Sequence, residues 1–122
     1  MARKLTLFLC DSPFQHESVD HAVELARAAL RKGHEVSVYL MMDGVYGPIS
    51  SQKGEPFKMP SVSERFAELI EEGLKISSCR VCMELRGVLA ESLPEGVDVG
   101  GIFDLSEMIA ESDVVVNLVG GS

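Results

Sequence analysis

The chain has 122 residues, 46% of them apolar, a net charge of −8 and three cysteines. This length and composition predict one domain over residues 1–122, and the negative charge disfavours nucleic acid, a polyanion, as a partner. The apolar run from Leu5 to Cys10 is too short for a signal segment, and no run approaches the roughly 18 to 20 residues of a membrane span. We therefore expect a cytoplasmic protein with reduced thiols and no membrane partner.

The first part of the chain predicts a strand, a helix and a second strand. Residues 4–10 form an apolar run that ends in turn-forming residues, as a buried strand does. Residues 17–32 carry apolar side chains at helical spacing, and Gly33 directly after them is a helix stop. Residues 34–41 are predicted to form the second strand. This is a βαβ unit, so we expect the two strands to pair in parallel.

Residues 42–60 contain three glycines and three prolines without periodicity, so we expect a loop. The loop could cover the edge of the sheet through Tyr46 and Phe57, or it could be an oligomer contact. Its apolar side chains look exposed, which favours assembly; they are Val45, Tyr46, Ile49 and Phe57.

The second half predicts two further helices and three further strands. Ser61 followed by Glu64 is a capping-box signature that opens one helix, and Asp104 is expected to cap the last helix. The remaining strands are predicted at 74–77, 97–103 and 112–120. Together these elements predict an α/β fold, with five mostly parallel strands and helices on both faces.

Two cysteines, Cys79 and Cys82, stand in the segment CRVCMELRG directly after the third strand. Ligands of an open parallel sheet bind beyond the carboxyl ends of its strands, and Cys10 ends the first strand at the same edge. At a helix start, free backbone N–H groups, with Arg80 and Arg86, would favour a Cys79 thiolate, the form that nucleophilic sulfur chemistry needs. Cys82 lies on the same helix face and could serve as a resolving thiol.

Other interpretations of the cysteines stay open. Both could be buried hydrophobic residues without chemistry. A structural zinc site needs four ligands and no second pair is present, although a composite site of Cys10, His16 and His21 is a weaker alternative. A thioredoxin-like role is disfavoured because the motif lies in the second half of the chain. No G-x-G-x-x-G, Walker A or G-x-S-x-G pattern occurs, so we predict no cofactor, and we predict no metal.

The sequence as a whole resembles the DsrE/DsrF-like family, which includes the TusD-type sulfur-relay subunits. The matching segments follow the family's order; they are DSPF, LRKGHEVSVYL, MDGVY, CRVCMELRG and GVDVGGIFDLSEMIAESDVVV. The resemblance implies a three-layer α/β/α sandwich, assembled into trimers or hexamers. It also implies a persulfide-accepting cysteine eight residues before the motif's glycine, which is Cys79 before Gly87. Cys82 marks a CxxC variant, whose second thiol could release or reduce bound sulfur.

Two hypotheses for function follow. The first is a persulfide carrier or sulfurtransferase between sulfur donor and acceptor proteins, with Cys79 as acceptor and Cys82 as auxiliary thiol. Arg80, Arg86 and Cys10 would then contact the substrate. The second is a noncatalytic homo-oligomeric module that binds a small ligand or partner at the sheet edge, with inert cysteines.

Overall fold

A computed structural model describes residues 2–119. Within this range the chain forms five strands, four α-helices and three short 3-10 helices. The strands are β1 (Lys4–Leu9), β2 (Glu35–Leu40), β3 (Lys75–Cys79), β4 (Val97–Gly100) and β5 (Val114–Leu118). The α-helices are α1 (Glu17–Arg31), α2 (Val62–Glu71), α3 (Arg80–Arg86) and α4 (Ile102–Glu111). The 3-10 helices are Met42–Tyr46, Glu55–Phe57 and Ala90–Ser92.

The strands form one parallel sheet in the order β4-β3-β2-β1-β5. The chain moves from β1 to β4 in one direction and then crosses back over the sheet to β5. Because parallel crossovers are right-handed, this reversal places α1, α2 and α3 on one face and α4 on the other. The predicted three-layer α/β/α fold with a parallel sheet is confirmed.

The two helical layers bury very different amounts of apolar surface. On the first face, β-strand residues such as Leu7 and Val38 are fully buried against Val23 of α1 and Phe66 of α2. On the second face α4 buries only Leu105, while several of its other apolar side chains stay exposed. The second layer therefore leaves apolar surface uncovered in the isolated chain.

The end of α1 and the start of α2 agree with the local signals in the sequence. The Ser61 hydroxyl accepts the Glu64 N–H at 3.0 Å, which confirms the predicted cap of α2. Gly33, at φ +86°, follows the end of α1 in the left-handed conformation that a helix stop requires. The end of the fifth predicted strand, at residue 120, lies outside the described residues.

Two predicted boundaries are wrong. β3 runs on to Cys79 rather than ending at residue 77, so the cysteine itself belongs to the sheet. β4 stops at Gly100 rather than at residue 103, and α4 takes up the apolar residues that follow. Asp104 lies inside this helix, where its carboxylate accepts the Gly101 N–H at 2.8 Å. That hydrogen bond fixes the helix start earlier than predicted.

Segment 42–60 is more ordered than predicted, because it contains the 3-10 helices Met42–Tyr46 and Glu55–Phe57. The expected exposure of its apolar residues is wrong at three of the four positions. Val45 is fully buried, and Tyr46 and Ile49 pack against the core; Phe57 alone among the four is exposed. The first 3-10 helix packs against the end of β1, and this packing turns its residue Val45 inward.

No helix within residues 2–119 is both long enough and apolar enough to span a bilayer.

Candidate functional site

The cysteines lie at the edge of the sheet where the strands have their carboxyl ends. Cys79 is the last residue of β3 and the N-cap of α3, and Cys82 lies in the first turn of that helix. Cys10 directly follows β1, and its N–H donates to the Leu118 carbonyl of β5. β2 lies between β1 and β3, so Cys79 and Cys10 stand on either side of its end.

Tyr39 and Cys82 lie beside the Cys79 sulfur. Cys79 is 8% exposed, and its side chain makes no capping hydrogen bond to the helix. The pKa of Tyr39 is raised to about 12. Burial is the largest cause, and the charge of Cys79 and a hydrogen bond to Cys79 follow. A phenol that keeps its proton so firmly can act as a hydrogen-bond donor to an anionic sulfur.

Tyr39 reaches this position from the neighbouring strand. It is buried in β2, and pairing in register with Ser77 puts it on the same sheet face as Cys79, two residues further along β3. Its hydroxyl also lies 3.1 Å from the Gly101 carbonyl, to which it donates. A phenol has one proton, so the hydroxyl can turn from this carbonyl to the sulfur when Cys79 loses its own proton.

Cys82 is as buried as Cys79 but is surrounded by different groups. Burial raises the pKa of Cys82, and so do its hydrogen bond to Cys79 and the Cys79 charge. The Met42 N–H, which hydrogen-bonds the Cys82 thiol, and the positive charge of Arg86 both act in the opposite direction. Cys82 therefore holds its proton more firmly than a free thiol does.

The 3-10 helix Met42–Tyr46 holds the second side of the site. Met42 adopts φ +50° and supplies its N–H to Cys82. Asp43 pairs with Arg86, with 2.9 Å between Oδ1 and Nε, and the Arg86 Nη1 donates to the Cys82 carbonyl at 3.3 Å. The segment predicted as a loop thus covers the edge of the sheet, through backbone and Asp43 contacts rather than through Phe57.

The other predicted site residues lie further out. Burial, the Asp11 charge and the Cys82 charge raise the pKa of the partly buried Cys10, which places this thiol near Cys82. Arg80 is exposed, and no ion pair joins it to another residue in the part of the chain that the structure describes. In residues 2–119 no group of three or more His, Cys, Asp or Glu side chains is arranged to hold a metal ion.

Comparison with known proteins identifies the family of this chain. A sequence model described as the DsrE/DsrF-like family matches residues 3–118. The chain belongs to this family. One DsrE/DsrF-like relative is an uncharacterized protein of Methanopyrus kandleri, 32% identical over 92% of this chain and 91% of its own length. A second, from Allochromatium vinosum, is named "Putative sulfurtransferase DsrE" and is 33% identical over 72% of this chain and 68% of its own length.

Solved structures agree with the DsrE/DsrF-like assignment at the level of the fold. The YchN protein of Escherichia coli superposes with a TM-score of 0.84, covering 96% of this chain and 99% of that chain at 22% identity. A protein of unknown function from Methanobacterium thermoautotrophicum gives a TM-score of 0.75, with 96% and 99% coverage at 17% identity. Both similarities extend along the whole described sheet.

Sequence reasoning did not find Tyr39 or the contacts of Met42 and Asp43 in this DsrE/DsrF-like chain. The only signal for Tyr39 is a hydroxyl-bearing side chain near the end of an apolar strand. Asp43 lies 43 residues before its partner Arg86, and no local pattern could pair them.

Proposed function

We propose that this DsrE/DsrF-like protein is an intracellular persulfide carrier or sulfurtransferase that holds sulfur on Cys79. The observation that carries the proposal is the convergence of the Tyr39 hydroxyl and the Cys82 thiol on the Cys79 sulfur. Hydrogen bonds to a sulfur anion stabilise it, whether it is the thiolate that accepts sulfur or the terminal persulfide formed afterwards. The sulfurtransferase name of the Allochromatium vinosum relative supports the same chemistry.

The proposed transfer has two steps. The Cys79 thiolate attacks the outer sulfur of a donor persulfide, the donor S–S bond breaks, and the donor leaves as a thiol after taking up a proton. Cys79 then carries one additional sulfur, which an acceptor thiolate removes by the same exchange. The low exposure of Cys79 suits this role, because a small sulfur group fits a narrow opening while surrounding protein limits contact with water.

Sulfur uptake tests the proposal. After incubation with a persulfide donor and removal of excess donor, we expect a mass increase of one sulfur atom, located by peptide mapping on Cys79. Cys79→Ser should lose this adduct completely, because its hydroxyl is not a sulfur nucleophile at neutral pH. Cys82→Ser should still form the adduct, which makes it the matched serine variant.

The control for these variants is alkylation after unfolding, which should label every remaining thiol in each protein. Circular dichroism should show that both serine variants keep the wild-type fold. If wild type and Cys82→Ser both take up no sulfur while their thiols alkylate fully, the carrier proposal is wrong.

We further propose that the chain assembles with copies of itself into a trimer or hexamer. Several large apolar side chains on and around α3 and α4 are exposed, more than an isolated small domain usually leaves in water. These residues are Val81, Leu85, Leu89, Ile102 and Phe103. They lie within or just after the cysteine motif, or just after the end of β4, so the proposed interface lies beside the site.

Light scattering at micromolar concentration should therefore give the mass of a trimer or larger assembly. Leu85→Glu should shift the mass towards the monomer, because a charge in an apolar interface is costly to desolvate. Glu68→Lys, which changes the charge of an exposed residue of α2 outside this apolar cluster, is the control and should leave the assembly intact. A monomeric wild-type protein would contradict this proposal.

A second candidate function, a binding module with inert cysteines, is favoured by the burial of both thiols, at 8% for Cys79 and 6% for Cys82. Native-state alkylation separates the two functions. A carrier needs a Cys79 that reacts with a small alkylating reagent in the folded protein, whereas an inert module would react only after unfolding.

A further inference from the structure

Cys82 occupies a position from which it can attack a sulfur held on Cys79. Cys79 is the N-cap of α3, so Cys82 is the third residue of the helix. Both thiols are buried, so they share one small volume at the helix start. A cysteine at the N-cap and one at the third helix position have the CxxC spacing, which can close a disulfide without unwinding the helix start.

We propose that Cys82 is a resolving thiol, which discharges the sulfur carried on Cys79 as hydrosulfide and leaves a Cys79–Cys82 disulfide. This inference rests on the proposed carrier function and adds an activity to it. The substrate of the step is the protein's own persulfide, and its product is inorganic sulfide.

The step balances without an external oxidant. The Cys82 thiol gives its proton to the outer sulfur of the persulfide and attacks the inner sulfur, the Cys79 Sγ, so that a Cys82–Cys79 S–S bond forms. The bond between Cys79 Sγ and the outer sulfur breaks, and its electron pair leaves with the outer sulfur as hydrosulfide. The two cysteines are thereby oxidised to a disulfide and the outer sulfur is reduced. Hydrosulfide is a weaker base than an alkyl thiolate, which makes it the better leaving group.

The contacts around Cys82 suit an attacking thiol. The Met42 N–H and the Arg86 charge both stabilise its anion, and Asp43 holds Arg86 in place. Because burial raises the pKa of Cys82, its thiol retains the proton that the outer sulfur needs in order to leave as hydrosulfide.

Cys10 is the competing nucleophile, since its thiol also lies near Cys82. It follows β1, however, and is separated from β3 by β2, whereas Cys82 lies three residues after Cys79, in the first turn of the helix that Cys79 caps. The structure therefore favours a disulfide within the CxxC motif over one that involves Cys10.

A single-turnover experiment tests the inference. Reduced wild type and Cys82→Ser are loaded with inorganic polysulfide, freed of excess reagent, and followed without reductant for the adduct mass, free sulfide and disulfide. Wild type should lose the adduct, release one sulfide per chain and gain a disulfide that maps to Cys79 and Cys82. Cys82→Ser should retain its adduct on the order of 100-fold longer, because the intramolecular nucleophile is missing. A dithiol reductant should return discharged wild type to the reduced form, ready for reloading.

Each outcome decides between the two proposals. Equal adduct lifetimes in wild type and Cys82→Ser, or a disulfide that includes Cys10, would overturn the resolving role and leave the carrier intact. A wild type that shows only disulfide and sulfide after loading, beside a stable adduct on Cys82→Ser, supports the resolving role. If neither protein shows the adduct, and wild type shows neither released sulfide nor a disulfide, the carrier function is wrong and this inference is wrong with it. If Cys82→Ser does not fold, Cys82→Ala replaces the buried thiol by a small apolar side chain in the same measurement.

Discussion

Phe66→Ala should lower the free energy of unfolding by about 3–5 kcal/mol, because it removes a large buried ring and leaves a cavity. Phe66 is fully buried on the inner side of α2. Its ring also packs on Gly47, where a Cβ would come within 3.3 Å of Cε2. Gly47 directly follows the 3-10 helix that contacts Cys82 and Arg86, so the lost ring would also loosen the support of the site. Chemical denaturation followed by circular dichroism measures the effect.

Phe57→Ala is the matched control, since it removes the same aromatic ring from segment 42–60, where Phe57 is 73% exposed. Removal of an exposed ring should change stability by less than about 0.5 kcal/mol. A natural domain has a total stability of only about 5–15 kcal/mol, so the core variant should be partly unfolded at moderate temperature. Similar losses for the two variants would contradict the packing described for α2.

Gly44→Ala should lower the free energy of unfolding by about 1–3 kcal/mol, the usual cost of overpacking. A methyl group at Gly44 would overlap the Leu9 carbonyl oxygen at the end of β1. That carbonyl cannot move easily, because it accepts the Met41 N–H at 3.0 Å and β1 is bonded to strands on both sides. The 3-10 helix must move instead, which carries the Met42 N–H away from Cys82. Cys82 should then alkylate faster in the native protein.

Gly101→Ala is the control for this substitution. A Cβ at Gly101 meets no atom within 4 Å, and its φ of −115° suits any residue. Denaturation and native-state alkylation of the two alanine variants should therefore differ clearly. If Gly44→Ala behaved like Gly101→Ala in both measurements, the close approach of the 3-10 helix to β1 would be wrong.

Elements with a local signal were predictable from the sequence, and those fixed by distant contacts were not. Gly33 after α1 and Ser61 before α2 mark helix limits through hydrogen bonds within a few residues. The 3-10 helix at Met42 has no such pattern, because its position depends on the end of β1, more than thirty residues earlier in the chain. The apolar residues that follow Gly101 would suit either a longer β4 or a helix. The hydrogen bond from the Gly101 N–H to the Asp104 carboxylate starts a helix there.

The candidate site divides in the same way. The motif placed Cys79 at a strand end and a helix start, which is where the structure has it. Its partner Tyr39 depends on the register between β2 and β3, and register is set by the whole sheet rather than by either strand alone. The expected hydrogen bonds from helix N–H groups to Cys79 were wrong, since its side chain makes no capping hydrogen bond to α3.

The position of Tyr39 also has an optical consequence. The chain contains no tryptophan and two tyrosines, so its ultraviolet fluorescence comes from Tyr39 and Tyr46. Tyr39 lies beside Cys79, and Tyr46 ends the 3-10 helix whose first residue, Met42, supplies its N–H to Cys82. The protein therefore carries, in Tyr39, an intrinsic, label-free probe of the chemical state of its sulfur.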